Sequence, residues 1–288
     1  MRALAVSFLL FALCSPLVVG EGDDAIRAKA ESGDSISQTN LGVMYHNGEG
    51  VPQDDKRAVY WWTLAAKQGE AVSQYNLGLM YANGEGVLQD DKQAAYWYTL
   101  AAKQGDASSQ HNLGVMYHNG EGVSQDDKQA VYWWTLAAKQ GDVVSQYDLG
   151  VAYANGKGVL QDGKQAEYWY TLAAKQGDAS AQNNLGLIYA NGKGVPQDNK
   201  HAAYWWTLAA KQGDASSQYN LGVLYHNGKG VPQDYKQAYV WFSIAAENGY
   251  SDAVKSRNLA AQKLPPHALQ EAQADAAELF KALPQVAE

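Results

Sequence analysis

The sequence predicts an all-α solenoid, a single file of antiparallel helix pairs, and three observations carry that prediction. The pair Leu-Gly recurs every 36 residues, at Leu41-Gly42, Leu77-Gly78, Leu113-Gly114, Leu149-Gly150, Leu185-Gly186 and Leu221-Gly222, with nothing inserted or lost between copies. Within a copy, small and apolar residues fall at i, i+3, i+4 and i+7, the spacing of one helical face. Each copy also holds a glycine-rich turn between its two helical stretches, as in Gly120-Glu121-Gly122. A fixed period of this length means units too small to bury their own apolar face, which they bury by stacking.

In chain order, Arg2, the apolar run from Ala3 to Val19 and the helix-breaking Pro16 read as a secretory signal over 1–20, cleaved before Glu21. The run is too short and too weakly flanked for a spanning helix. Leu13 before Cys14 is bulky where a lipoprotein signal wants a small residue. The expected destination is the periplasm or the cell exterior. No cysteine follows Cys14, so the exported chain stands without disulfides. A net charge of −8 argues against nucleic acid or an anionic membrane surface as the main partner.

Residues 21–33 form an N-terminal cap. Gly33 lies 36 residues before Gly69, which aligns Asp23–Ser32 with the tail of a second helix. Six units follow at 34–69, 70–105, 106–141, 142–177, 178–213 and 214–249. In the third, Asp106 stands where a carboxylate can accept from the first free amides of a helix. Gln110, Leu113, Gly114 and Tyr117 then share one face, and Asn119-Gly120 ends the helix. Asp126 caps a second helix whose face is Ala130, Trp134 and Ala137, flanked by Trp133, and Gly141 closes it. Glycine inside a helix costs about 1 kcal/mol relative to alanine. Its recurrence at Gly114 therefore implies close approach of the partner helix near Ala130 and Ala137, with Trp134 in the adjoining space. Residues 250–288 form a C-terminal cap: Ser251–Lys263 is a last first-helix without the Leu-Gly pair, and Pro265-Pro266 opens an alanine-rich amphipathic helix over His267–Leu283.

The pattern Leu-Gly-x-x-Tyr-x-x-Gly-x-Gly-Val, then Asp-x-x-x-Ala-x-x-Trp, then Ala-Ala-x-x-Gly, resembles the Sel-1-like repeat family, relatives of tetratricopeptide repeats with a longer loop inside each unit. The resemblance spans about residues 30–264. It implies a right-handed α-solenoid that works as a scaffold or adaptor in envelope complexes, signalling or host-cell contact.

Comparing copies within the chain separates packing from surface. The rows Trp62, Tyr98, Trp134, Tyr170, Trp206, Phe242 and Trp61, Trp97, Trp133, Trp169, Trp205, Trp241 are aromatic throughout and read as core and inter-unit packing. A less uniform stripe lies about 100° round the first helices from the Leu-Gly face. It carries Thr39, Tyr75, His111, Tyr147, Asn183 and Tyr219, and, seven residues on, His46, Ala82, His118, Ala154, Ala190 and His226. The aliphatic residues Val43, Leu79, Val115, Val151, Leu187 and Val223 lie between them. In tetratricopeptide-like stacks these positions line the concave groove. The resemblance thus implies a groove in which His46, Tyr75, His111, His118, Tyr147, Asn183, Tyr219 and His226 hold a protein or peptide, aromatic groups with polar tips being good anchors. The alternative is a solvated flank.

Other rows invite other readings. The loop tips switch from Glu49, Glu85 and Glu121 to Lys157, Lys193 and Lys229, which could orient a charged partner or be drift. The outer tyrosines Tyr60, Tyr96, Tyr132, Tyr168 and Tyr204 could be a second contact surface or pack side by side, the latter being preferred. They also leave open a cell-wall or glycan binder. Histidines two turns apart, about 10.5 Å along the axis, cannot share an ion, so no metal or cofactor is expected. No nucleophile–base set, phosphate loop or calcium loop is present. Exported relatives rich in cysteine are described as binding or hydrolysing β-lactams. They carry a cysteine pair in each repeat, which this chain lacks, so an enzyme is not expected.

Overall fold

The computed structural model describes residues 22–284, and the expected leader over 1–20 lies outside the described residues. The described residues form fifteen helices and no strand. Their contacts divide into two compact units. The first, up to Ser109 plus Glu121–Val123, holds α1 (Asp23–Glu31), α2 (Ser35–Asn47), α3 (Asp55–Lys67), α4 (Ala71–Asn83) and α5 (Asp91–Lys103). The division runs through α6 (Ala107–Asn119). The second unit continues with α7 (Asp127–Lys139), α8 (Val143–Asn155), α9 (Gly163–Lys175), α10 (Ala179–Asn191), α11 (Asn199–Lys211), α12 (Ala215–Asn227) and α13 (Tyr235–Glu247). It ends with α14 (Ala253–Ala261) and α15 (Pro266–Ala282). Inside each unit a helix packs on its neighbours along the chain, the signature of an all-α solenoid.

The uniform helix length has local causes. An aspartate precedes nearly every helix: Asp34 accepts from the Ser37 amide at 2.8 Å, Asp106 from Ser109 at 2.6 Å, and Asp126 from Lys128 and Gln129 at 2.9 and 3.1 Å. Among the repeat helices α2 to α13 Glu70 is the exception, while Gly22 precedes α1 and Pro265 precedes α15. Glu70 makes no cap bond to α4 and instead accepts from the Ser35 hydroxyl at 2.6 Å. First helices end on a left-handed glycine, Gly48 having φ of 73°, a conformation that would strain any side chain bearing a Cβ. Two residues further, a Cβ on Gly86 would come within 2.5 Å of the Asp55 carbonyl oxygen, so the loop glycine seats one repeat against the previous one.

The Leu-Gly pair has a different cause from the one the sequence implies. The leucines are all but fully buried, as expected. A Cβ on Gly114, however, would lie 2.5 Å from Cδ1 and Nε1 of Trp134, with Gly42 against Trp62 and Gly78 against Tyr98 in the same relation. The glycine makes room for an aromatic ring laid across the first helix, and not principally for two backbones approaching at alanines. Trp97, Trp133, Trp169, Trp205 and Trp241 are buried too, while Trp61 is half-buried.

A part-buried ladder of amides ties the repeats together. The Gln182 side chain donates to the Ala174 carbonyl at the end of α9, 3.1 Å away, and its oxygen accepts from Gln212 at 2.8 Å. Gln74 and Gln104, Gln146 and Gln176, and Gln218 with Asn248 repeat the arrangement. Each rung adds a second hydrogen bond to a last-turn carbonyl that already accepts from the glycine amide three residues on, as Ala174 does from Gly177 at 3.1 Å.

The C-terminal cap departs from the pattern. The helix expected over Ser251–Lys263 is shorter, and α15 begins with Pro266 in its first turn, where a missing N–H costs nothing. Helix α15 packs on α13 and does not pair with α14 as a second helix pairs with its first elsewhere.

Candidate functional site

The stripe of first-helix residues is half-buried in both units, and its side chains rest on the aromatic core. Tyr75 lies against Tyr98, with ring centres 6.1 Å apart, Tyr147 against Tyr170 at 5.8 Å, and Tyr219 against Phe242 at 5.5 Å. His46 and His118 lie beside Trp62 and Trp134, both at 5.6 Å. Second-helix aromatics thus set the positions of the stripe residues.

Most of their polar tips are engaged within the chain, whereas His226 Nδ1 is buried without a hydrogen-bond partner. His46 Nδ1 is 2.8 Å from the carboxylate of Asp55, the first residue of α3, and His118 stands in the same relation to Asp127 at 2.6 Å. Each histidine is in the last turn of one helix and each aspartate in the first turn of the next, the arrangement both helix dipoles favour. Where the histidine is Ala82 or Ala154 no such pair exists, and His226 lies edge-on to Tyr235 at 5.2 Å.

The other row reaches from one repeat to the next. Thr39 meets the Ser73 hydroxyl at 2.8 Å, His111 Nδ1 meets that of Ser145 at 3.1 Å, and Asn183 accepts from Ser217 at 3.1 Å. Tyr219 stacks on Tyr250 at 4.5 Å, and its hydroxyl accepts from Ser256 at 3.4 Å. Burial pushes the Tyr75 and Tyr147 hydroxyls above the usual tyrosine range, so they act as neutral donors or acceptors. The stripe therefore offers a partner its ring edges and aliphatic floor, with Leu187 the most exposed part of that floor, more than spare hydrogen-bonding groups.

One cluster went unread in the sequence. His111 Nδ1 lies 3.8 Å from both Asp142 and Asp148. Burial, with Asp142 and Asp178 nearby, pushes the Asp148 carboxyl up to about 7, and burial pulls His111 below its usual value. Desolvation thus outweighs attraction, and both groups favour their neutral forms. The signal was available. Five copies have asparagine here, Asn40, Asn76, Asn112, Asn184 and Asn220, and only Asp148 carries an acid.

The outer tyrosines do not pack side by side as expected. They remain 51–57% exposed, each ring edge-on to the tryptophan that follows it at 4.9–5.1 Å. At the loop tips, Glu49 and Glu85 accept from Asn47 and Asn83 at 3.2 and 3.3 Å. Among the described residues, no group of three His, Cys, Asp or Glu is arranged to hold a metal ion, and no helix is long and apolar enough to cross a membrane.

The Sel1 repeat model matches six consecutive segments, 35–70, 71–106, 107–142, 143–178, 179–214 and 215–250. Two solved structures are similar over most of the chain. A protective antigen present in uropathogenic Escherichia coli strains, displaying an SLR fold, is 40% identical with a TM-score of 0.79, over 88% of this chain and 56% of that one. This chain therefore spans a little over half the length of the antigen. A Sel1 repeat protein from Oxalobacter formigenes is 32% identical with a TM-score of 0.63, over 78% of this chain and 87% of that one. None of the curated proteins matches the chain.

Proposed function

We propose that this chain, which belongs to the Sel1 repeat family, is an exported, non-enzymatic scaffold that holds a protein or peptide partner on the stripe face of its first helices. Repeats of this family commonly serve protein interaction, and an all-α stack of them is typically not an enzyme. The observation that carries the choice of face is the recurrence of half-buried aromatic rings at one helical position. Tyr75 sits there in the first unit and Tyr147 and Tyr219 in the second, each resting on a core aromatic beside a partly exposed aliphatic residue. Rings held in this way lose little freedom when a partner covers them, which favours anchors of this kind. Export rests on the apolar run before Gly20.

The test is capture of partners from envelope and culture-fluid extracts. Beside the unmodified protein runs a variant with Tyr75, His111, His118, Tyr147 and Tyr219 changed to alanine. Circular dichroism establishes that its helices persist. Partners held by the first and lost by the second place binding on the stripe, whereas partners held equally by both remove it from there. Nitrocefin turnover, expected to be absent, checks the non-enzymatic part of the reading.

A further inference from the structure

The second helices present a different face, and the C-terminus of the chain covers one copy of it. In five repeats the second residue of the second helix is an exposed lysine, followed one turn later by the exposed tyrosine. Within the second unit these are Lys128 and Tyr132 on α7, Lys164 and Tyr168 on α9, and Lys200 and Tyr204 on α11. In the sixth repeat the equivalent residues are Lys236 and Val240 on α13. There Val240 is only 2% exposed and shares an apolar cluster with Ala272 and Ala276 of α15. The Lys236 ammonium donates to Glu271 and Asp275 of α15, both at 3.0 Å.

Helix α15 is amphipathic in a specific way. Its contact edge carries Glu271, Ala272, Asp275 and Ala276, so carboxylates recur at i and i+4 with a small residue after each. The carboxylates clasp the lysine, and the alanines let the helix lie close to the position one turn on. On α7, α9 and α11 the lysine is retained and that position holds a tyrosine. Its ring, set against the adjacent tryptophan, offers apolar area with a hydroxyl at its end. Valine stands on α13, among the described residues the only copy with a covering helix, which matches the need for a smaller residue under a resident one.

From this we infer that the lysine–tyrosine face of α7, α9 and α11 is a docking surface for an acidic amphipathic helix of a partner protein. Its carboxylates, spaced one turn apart, face Lys128, Lys164 or Lys200, and its small residues lie on the tyrosines. The surface is separate from the first-helix stripe, and the inference stands whether or not that stripe binds anything.

The probe is a fluorescent peptide with the sequence of residues 264–284, titrated with the full chain and followed by anisotropy. Saturable binding is expected. It weakens at least tenfold in the triple variant Lys128→Glu, Lys164→Glu, Lys200→Glu, and as much in Tyr132→Ser, Tyr168→Ser, Tyr204→Ser. A peptide bearing Glu271→Lys and Asp275→Lys is expected not to bind. Far-UV circular dichroism keeps loss of binding distinct from loss of fold, and the two triple variants act through different side chains, so one checks the other. No binding by the unmodified peptide overturns the inference. Binding that survives both variants also overturns it, since that marks exchange with the resident α15 on α13. So does pelleting with cell-wall polysaccharide that needs the tyrosines and not the lysines.

Discussion

The first-helix stripe and the second-helix outer row run through the same repeats and have opposite characters. The stripe varies from copy to copy, through Thr39, Tyr75, His111, Tyr147, Asn183 and Tyr219, yet it is half-buried and engaged in contacts between repeats. The outer row is tyrosine in five successive copies and stands more than half exposed. Uniformity among duplicated units therefore does not mark burial. A row can stay uniform while it faces solvent, and it can vary inside a junction provided each new residue finds a local partner.

If that contrast is right, substitutions on the first helices destabilise the stack and those on the outer row do not. The largest expected effect is at the Leu-Gly pair. Gly114→Leu drives a side chain into the Trp134 indole and should cost about 3 kcal/mol, as overpacking of a filled core does, read as a lowered thermal midpoint. Next comes the amide ladder. Gln182→Leu removes two hydrogen bonds, the one to the Ala174 carbonyl, which keeps its bond from the Gly177 amide, and the one from the Gln212 amide. A loss of about 2 kcal/mol is expected, seen as faster amide exchange at the end of α9 as well as lower stability.

Asp148 sharpens the contrast through pH. Its folded value, about 7, lies above that of an unfolded aspartate, about 3.9. The folded chain holds this proton more tightly, so its contribution to stability falls as pH rises from about 4 to about 7 and stays low above that. Asp148→Asn, which restores the residue of the other five copies, should stabilise by about 2 kcal/mol at pH 8 and change little at pH 4. Denaturant midpoints at the two pH values check this, and equal midpoint shifts would show that the carboxyl is not buried as described. The smallest effect belongs to the outer row. Replacing Tyr132, Tyr168 and Tyr204 by serine should move stability by less than about 0.5 kcal/mol per site. A larger drop would show that the row serves packing after all.

Much of the fold was legible because its causes are local. Asp106 and Asp126 announce helix starts through bonds that span two or three residues, and Gly120 announces an end by the one backbone conformation it tolerates best. The stripe residues could be named because helical periodicity alone assigns them to one face. Their partners could not. His46 meets Asp55 nine residues on, His111 meets Ser145 thirty-four on, and Lys236 meets Glu271 thirty-five on.

By itself the sequence determined the period, the paired helices with their caps and turns, and the aromatic core. Each of these follows from hydrogen bonds and apolar spacing inside a single repeat. Only the tertiary structure decided that glycine yields to a ring and not to a backbone, that the amides form a ladder, that Asp148 is desolvated and that α15 returns to α13. Those outcomes depend on which surfaces meet and how much water leaves between them, and separation along the chain encodes neither.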